Sequence, residues 1–522
     1  MNSTTLARDV VRQLIEAGVS EFVLSPGSRN APLSIALYQA EQAGLVSLNV
    51  RIDERGAAFY ALGISKASEN YVAVICTSGT AAANFHPAAL EAYHSGNKLL
   101  AITADRPARL RRTGANQTTL QDGVLAPVLT VDISSPMQIS SLLQGGPVHL
   151  NVQFDEPLLS DDRSDWLSGL NPNPIATGSH DGEVKKIELK SRGLIIVGHD
   201  RAGFAAAAIS DLARKAHWPL IAEDPLSFAE CVPHAALFLA DPELRKTLCP
   251  EQVIVIGRTT LSRSINGLIN ESPEVIVIDP RTSDIDTMRV ASTVLTELPE
   301  VNAHPNEEWQ GLWQGIAKAA TESIRLDWSE QSAVAIITSS IPSGAALFIG
   351  SSRPVRDIEA FAQGRNDVTT FANRGLAGID GNISCAFGIA TKFEKSYAIL
   401  GDITFLHDIS ALVNKAEADL TIFIIDNNGG GIFSTLPQAK EDGFEKLFGT
   451  PHDLDLYNVI EGFGVPVSKV KTASDIEYLI AHQTPGLRCV IVEVPDRSQN
   501  AEKLRELTQS LVRAVRIGSN LA

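Results

Sequence analysis

Cysteine is scarce in this sequence and does not cluster. The 522 residues hold five, Cys76, Cys231, Cys249, Cys385 and Cys489. No CxxC pair and no Cys/His zinc spacing occurs, which excludes a disulfide framework and points to the reduced cytosol. Long apolar runs are missing as well. No stretch reaches the roughly 18 apolar residues of a membrane helix, and the opening MNSTTLARDVVRQL carries no signal-type run. A cytoplasmic protein with no membrane partner is therefore expected. Basic charge is also in deficit. Against 61 acidic side chains stand 44 basic ones, a net of −17, so nothing favours nucleic acid as a partner. An acidic protein that binds acidic substrates has to concentrate its arginines locally.

What is present is ordinary globular composition at a length too great for one core, 44% hydrophobic and 20% charged. Apolar strand-like runs alternate with helix-like segments, which implies parallel sheets flanked by helices, an α/β fold. Three domains are expected, over 1–170, 185–325 and 330–522, with a polar linker over 171–183. In the first, an amphipathic helix over 6–17 precedes a strand over 21–24 that ends in SPGSR. Further strands over 46–52, 72–76 and 99–104 alternate with helices over 56–67 and 80–92. Each strand ends in polar residues: Ser28-Arg29, Asp53-Glu54-Arg55, Thr77–Thr80 and Asp105-Arg106. The carboxyl edge of such a sheet is where ligands sit. Glu54 taken alone reads as charge at a helix N-terminus. In the loop 103–122, Arg109, Arg111 and Arg112 read as a solvated basic face. Arg106, at a strand end, and Asn116-Gln117 are better placed to touch a polar ligand.

The middle stretch reads as another parallel unit, with strands over 193–197, 219–222, 253–256 and 275–278. The first is followed by VGHDRAG, not GxGxxG, so a dinucleotide site is poorly supported. In the last domain, strands over 347–350 and 368–371 lead to SSRPVR and NRGLAGIDG, and bring Arg356 and Arg374 to one sheet edge. Two arginines at neighbouring strand ends beside an anion site suit carboxylate clamping.

The rest of the chain is organised around residues 401–433, GDITFLHDISALVNKAEADLTIFIIDNNGGGIF. A strand over 397–400 ends in Gly401-Asp402. A helix over 406–415 follows, and a strand over 420–425 ends in Asp426-Asn427-Asn428 and three glycines. One carboxylate, one amide oxygen and a free carbonyl near a glycine make a hard-oxygen site suited to Mg²⁺ and phosphate. The ordinary alternative is a strand–helix–strand unit with a capping Asp and an Asn-Gly turn.

The spacing resembles the thiamine-diphosphate signature, GDG followed after about 25 residues by NN, with Ile403 in place of the third residue. SPGSRNAPL (25–33), DERGAAFYALG (53–63) and NRGLAGIDG (373–381), together with GD…NNGGGIF, resemble the 2-succinyl-5-enolpyruvyl-6-hydroxy-3-cyclohexene-1-carboxylate synthases, thiamine-diphosphate enzymes of menaquinone biosynthesis. The resemblance covers the first and last domains well and the middle one in outline. It implies the thiamine-diphosphate-binding fold, with a pyrimidine-binding first domain and a diphosphate- and Mg²⁺-binding last domain, Mn²⁺ being a possible substitute. It implies decarboxylation of 2-oxoglutarate and addition of the succinyl carbanion to isochorismate. Glu54 would meet the aminopyrimidine. Asp402, Asn427 or Asn428, and the carbonyl of Gly429 would hold the metal; alignment on GGGIF favours Asn427, while spacing alone leaves the pair open. Ser352, Ile379, Ile432 and Phe433 would line the cofactor. Ser28, Arg29, Arg106, Asn116, Gln117, Arg356 and Arg374 would bind substrate. Arg263 is the middle domain's one candidate. A homo-oligomer with sites shared between chains is implied. The rivals are another thiamine-diphosphate 2-oxo-acid decarboxylase and a non-catalytic nucleotide-binding protein.

Overall fold

The computed structural model describes residues 2–170, 172, 184–281, 286, 289–415 and 417–518. Apart from Pro172, the expected linker over 171–183 lies outside the described residues. Among the described residues, the α/β expectation is met by three large parallel sheets flanked by helices, with a two-stranded parallel pair, Lys186–Glu188 and Glu300–Asn302, besides. The first runs in the order Ser47–Val50, Glu21–Leu24, Val72–Cys76, Leu99–Asp105, Val148–Gln153, Thr130–Ile133. The second has five strands, ordered Thr293–Leu295, Val275–Ile278, Gln252–Ile256, Gly193–Val197, Leu220–Ala222. The third is ordered Thr369–Ala372, Ala346–Ile349, Ser396–Gly401, Leu420–Asp426, Leu487–Glu493, Val467–Val470. Central strands such as VAVIC (72–76) are buried at every position, as parallel strands covered on both faces must be.

The chain forms two compact units. One comprises 1–179 with the segments 373–394 and 407–418; the other comprises 180–372, 395–406 and 419–522. Within the first unit, helix Asn382–Ala390 is buried at all nine positions and packs on helix Glu54–Ser68. Two glycines make that approach feasible. A Cβ on Gly63 would collide with the Cys385 carbonyl, and one on Gly388 with the carbonyl of Tyr60. Within the second unit, the second and third sheets keep separate cores. That of the second includes Trp309 and Trp313, that of the third Phe423 and Tyr397.

Several elements differ from expectation, for local reasons. The helix expected over 80–92 is two, Thr80–Asn84 and His86–Ser95, because Pro87 has no N–H to continue the first helix and instead opens the second. The helix expected over 406–415 is a short helix, Asp402–His407, then a 3₁₀ turn, Ile409–Val413. Asp408 interrupts it, accepting the Ser384 N–H at 2.7 Å and lying 3.5 Å from Arg55. Burial holds the Asp408 carboxyl up at about 6. Strands Thr130–Ile133 and Val148–Gln153 were not expected at all. Among the described residues, no helix is long and apolar enough to cross a membrane.

Candidate active-site residues

In the second unit, strands Ser396–Gly401 and Leu420–Asp426 pair in parallel register, Gly401 beside Ile425. Asp402 and Asn427 thus leave adjacent strand ends. Asp402 is buried, its Oδ1 accepting the N–H of Ile403 at 2.6 Å and its Oδ2 that of Gly429 at 2.8 Å. The following loop is held on all sides. Asn428 takes φ +59°, a left-handed conformation that asparagine tolerates. Its Nδ2 donates to Asp453, its Oδ1 accepts from the N–H groups of His452 and Asp453, and its carbonyl accepts from Arg497. Gly429 has φ +139°, and a Cβ there would collide with the carbonyl of Gly449. Its carbonyl accepts from Gly431 at 2.9 Å across a tight turn and keeps a second lone pair. Asn427 differs from its neighbour. Its Nδ2 donates to Glu330, while its Oδ1 is buried with no hydrogen-bond partner. An orphaned buried amide oxygen beside a carboxylate and a carbonyl with a free lone pair fits a hard divalent cation.

Two groups here carry no sequence signal. His452 arrives from the loop after Thr450. Its Nδ1 accepts the Leu454 N–H at 3.1 Å, and its Nε2 lies 3.4 Å from Asp402 and 3.8 Å from Asp426. The three offer ligand atoms within 4.8 Å of one another. Asp402, close to its ring, raises His452 against burial, while burial and then Asp402 raise Asp426. Glu330 is the second. No strand end or glycine run marks it, since it opens helix Glu330–Ser340. Ser352 lies before helix Arg353–Phe361 at φ +76°, strain for a non-glycine residue and common where ligands are held. Arg356 folds its guanidinium back onto the Ser352 carbonyl at 2.6 Å. Ile432 and Phe433 are half-buried in the turn Gly431–Thr435, Phe433 lying 5.7 Å from the Phe448 ring. Arg263, first residue of its helix, is exposed.

In the first unit, Glu54 is the first residue of helix Glu54–Ser68, but Asp53 supplies the cap, accepting from Arg55 at 3.0 Å and Gly56 at 3.4 Å. The helix-capping role open to either residue thus falls to Asp53. The Glu54 carboxylate is half-buried and makes no hydrogen bond or ion pair among the described residues. Its charge is felt by Cys76, whose thiol is pushed up first by burial and then by Glu54. Gly27 in the SPGSR loop admits no Cβ, because Thr77 fills the space. Ser28 beside it is exposed. Arg29 donates to the Phe154 carbonyl at 3.1 Å and lies 3.2 Å from Glu156. Arg106 donates to Ser78 at 3.1 Å and to the carbonyl of Gln117 at 2.9 Å. Burial lowers Arg106, and Arg29 lowers it further, which puts the two guanidiniums within electrostatic reach. Asn116 and Gln117 are exposed, Gln117 in the left-handed region at φ +54°.

Arg111 is not part of a solvated basic face. It lies 2.8 Å from buried Asp105 and 2.6 Å from Asp132, with its side chain 11% exposed. Gln121 and Asn151 extend this network under the loop, Gln121 bonding to Asn151 at 2.7 Å and receiving the Gly79 N–H at 3.0 Å. Arg374 is buried, and the turn that follows it is anchored. Both N–H groups of Gly375 and Leu376 donate to Glu91 at 2.8 Å.

Residues 4–125 match the thiamine pyrophosphate enzyme N-terminal TPP binding domain, and 358–494 match the C-terminal TPP binding domain. These two matches define a thiamine pyrophosphate enzyme. Synthases named for 2-succinyl-5-enolpyruvyl-6-hydroxy-3-cyclohexene-1-carboxylate from Nocardioides sp. and Saccharopolyspora erythraea are 38% and 37% identical. The first alignment covers 98% of both chains, the second 98% of this chain and 99% of its relative. The Thermobifida fusca synthase is 35% identical, with 98% of this chain and all of its own covered. The chain belongs to the 2-succinyl-5-enolpyruvyl-6-hydroxy-3-cyclohexene-1-carboxylate synthase family.

Proposed function

We propose that the chain decarboxylates 2-oxoglutarate and adds the succinyl unit to isochorismate, using thiamine diphosphate and Mg²⁺, with Mn²⁺ able to replace it. Beyond family membership, one observation carries the metal-dependent reading: the buried, unpartnered Oδ1 of Asn427 beside Asp402. Asp402, Asn427 and the Gly429 carbonyl are the proposed ligands. Asn428 is the weaker candidate because its amide is spent on the 452–453 backbone and Asp453.

Bound thiamine diphosphate would supply an acidic carbon and a sink for the negative charge left when a 2-oxo acid loses CO₂. The chain's own residues do the rest. Glu54 holds a proton at the aminopyrimidine ring nitrogen, a task suited to a half-buried carboxylate with no other partner. Ser352, Ile379, Ile432 and Phe433 line the cofactor, and the apolar side chains among them keep water from the carbanion. Arg29 and Arg106, with Ser28, Asn116 and Gln117, form one polar rim; Arg356 and Arg374 bind carboxylates. Both substrates are dicarboxylates, which gives a protein of net charge −17 a use for local arginines.

The active form we infer is a cytoplasmic homo-oligomer in which chains share sites. Glu54 and Asp402 belong to different compact units. The first unit also exposes large apolar side chains, among them Ile35, Tyr38, Val50, Ile52, Leu129 and Val413, of the kind that a second copy covers. The test of the reaction is product analysis with 2-oxoglutarate plus isochorismate. CO₂ release and a condensed product, both dependent on thiamine diphosphate and Mg²⁺, are expected. Equal use of pyruvate, or CO₂ release with no condensation, would overturn the assignment.

A further inference from the structure

Asn427 is held from behind by a residue with no other evident task. Its Nδ2 donates to Oε1 of Glu330, a carboxylate 2% exposed. Glu330 is itself fixed. Its N–H donates to Asn500 Oδ1 at 3.1 Å, and the Asn500 amide returns to Oε1 at 3.3 Å. Arg353 Nε stands 3.7 Å from Oε2, and the same guanidinium binds Asp357. The chain passes over this pair at Gly431, where a Cβ would collide with Asn427 Nδ2 and sit 3.2 Å from Oε1 of Glu330. Burying a carboxylate so completely is costly unless every lone pair finds a donor, and such an arrangement is kept for what it specifies.

We propose that Glu330 is a positioning residue that fixes which end of the Asn427 amide faces the cation. An amide is nearly the same shape at both ends, but one end accepts and the other only donates. Towards a cation, the wrong end presents N–H groups. Oε1 of Glu330 also accepts from Asn500, so it faces Asn427 as an acceptor, selects Nδ2 and leaves Oδ1 on the opposite side, the orphaned atom of the site. With Oδ1 turned towards Glu330, two acceptors would oppose each other in a buried space. The inference rests on reading Asn427 as a metal ligand. Outer partners of this kind typically change metal affinity by about 10- to 100-fold.

The experiment measures Mn²⁺ affinity by paramagnetic resonance, with thiamine diphosphate present, on the full-length protein and four variants: Asn427→Ala, Glu330→Ala, Glu330→Gln and the double alanine variant. Glu330→Ala is expected to weaken Mn²⁺ by about 10- to 100-fold. Glu330→Gln, whose carbonyl can still accept from Asn427, should recover most of the loss. In the Asn427→Ala background, Glu330→Ala should cost nothing further, since the two act as one unit. Wild-type affinity in Glu330→Ala, or an undiminished loss in the Asn427→Ala background, overturns the proposal. Wild-type affinity in Asn427→Ala instead overturns the ligand assignment beneath it. If Glu330→Ala does not fold, Glu330→Asp takes its place. It keeps the charge but withdraws it from Asn427, so it must show the same loss and the same non-additivity.

Discussion

Within the first unit, Glu91 anchors the turn after Arg374, and its removal has a calculable effect. The side chain is 3% exposed and accepts two backbone N–H groups, from Gly375 and Leu376, each at 2.8 Å. Lys66 lies 3.6 Å away with its side chain 9% exposed. A hydrogen bond to a charged group contributes about 1.5–3 kcal/mol, so Glu91→Ala loses at least about 3 kcal/mol of anchoring for this turn. At tenfold per roughly 1.4 kcal/mol, the two amides should open about 150 times more often. Hydrogen exchange read by mass spectrometry on peptides covering 373–381 measures this directly, and the strand Val72–Cys76 serves as an internal control. Because Gly375 follows Arg374 directly, KM for 2-oxoglutarate should rise more than kcat falls. Glu91→Gln keeps one good acceptor and should fall between. Unchanged exchange over 373–381 in the alanine variant would refute the anchoring role. Faster exchange with unchanged KM would show that the anchor does not bear on substrate.

Glu54→Gln should fold and bind cofactor but lose nearly all turnover; near-normal proton exchange at the thiazolium carbon would sink its role. Asp402→Ala should abolish Mg²⁺-dependent cofactor binding by calorimetry, and a mixture of Glu54→Ala with Asp402→Ala chains should regain activity if sites are shared. A mixture that stays inactive, with hetero-oligomers shown to have formed, rules sharing out. Arg356→Ala and Arg374→Ala should each cost about 1.5–3 kcal/mol in kcat/KM for the dicarboxylates; equal losses with pyruvate would argue against a clamp on the distal carboxylate. His149, bridging Thr103 at 2.8 Å and Thr130 at 2.9 Å, is lowered by burial to about 4. The unfolded chain therefore takes up that proton first, and stability should fall as pH drops from about 6.5 to 4, by about 3 kcal/mol from this residue. A His149→Gln variant with the same pH dependence over that window would refute this.

Local pattern carried the fold class. Apolar runs of four to seven residues ending in polar or glycine-rich turns mark parallel strands, because both faces of such a strand are covered and little else in a chain looks like them. The strand Val148–Gln153 escaped because His149 and Asn151 break its apolar run; both are fully buried, satisfied by Thr103, Thr130, Asp105 and Gln121. Polar residues in a core become intelligible only with their partners beside them.

The candidate site divides in the same way. The sequence alone determined which residues stand at strand ends, since that follows from strand length and turn chemistry, and so Glu54, Asp402, Asn427 and Arg374 were legible. Tertiary structure decided what each of them meets. The Asn428 amide is occupied by residues 24 and 25 positions further on, the Asn427 amide by a glutamate 97 positions earlier, and the turn after Arg374 by one 284 positions earlier. Arg111 looks solvated in the sequence because nothing near it there shows Asp132, which packs at 2.6 Å. Propensity and periodicity act over a few residues, whereas the partner of a buried polar group is whatever the packed chain brings to it.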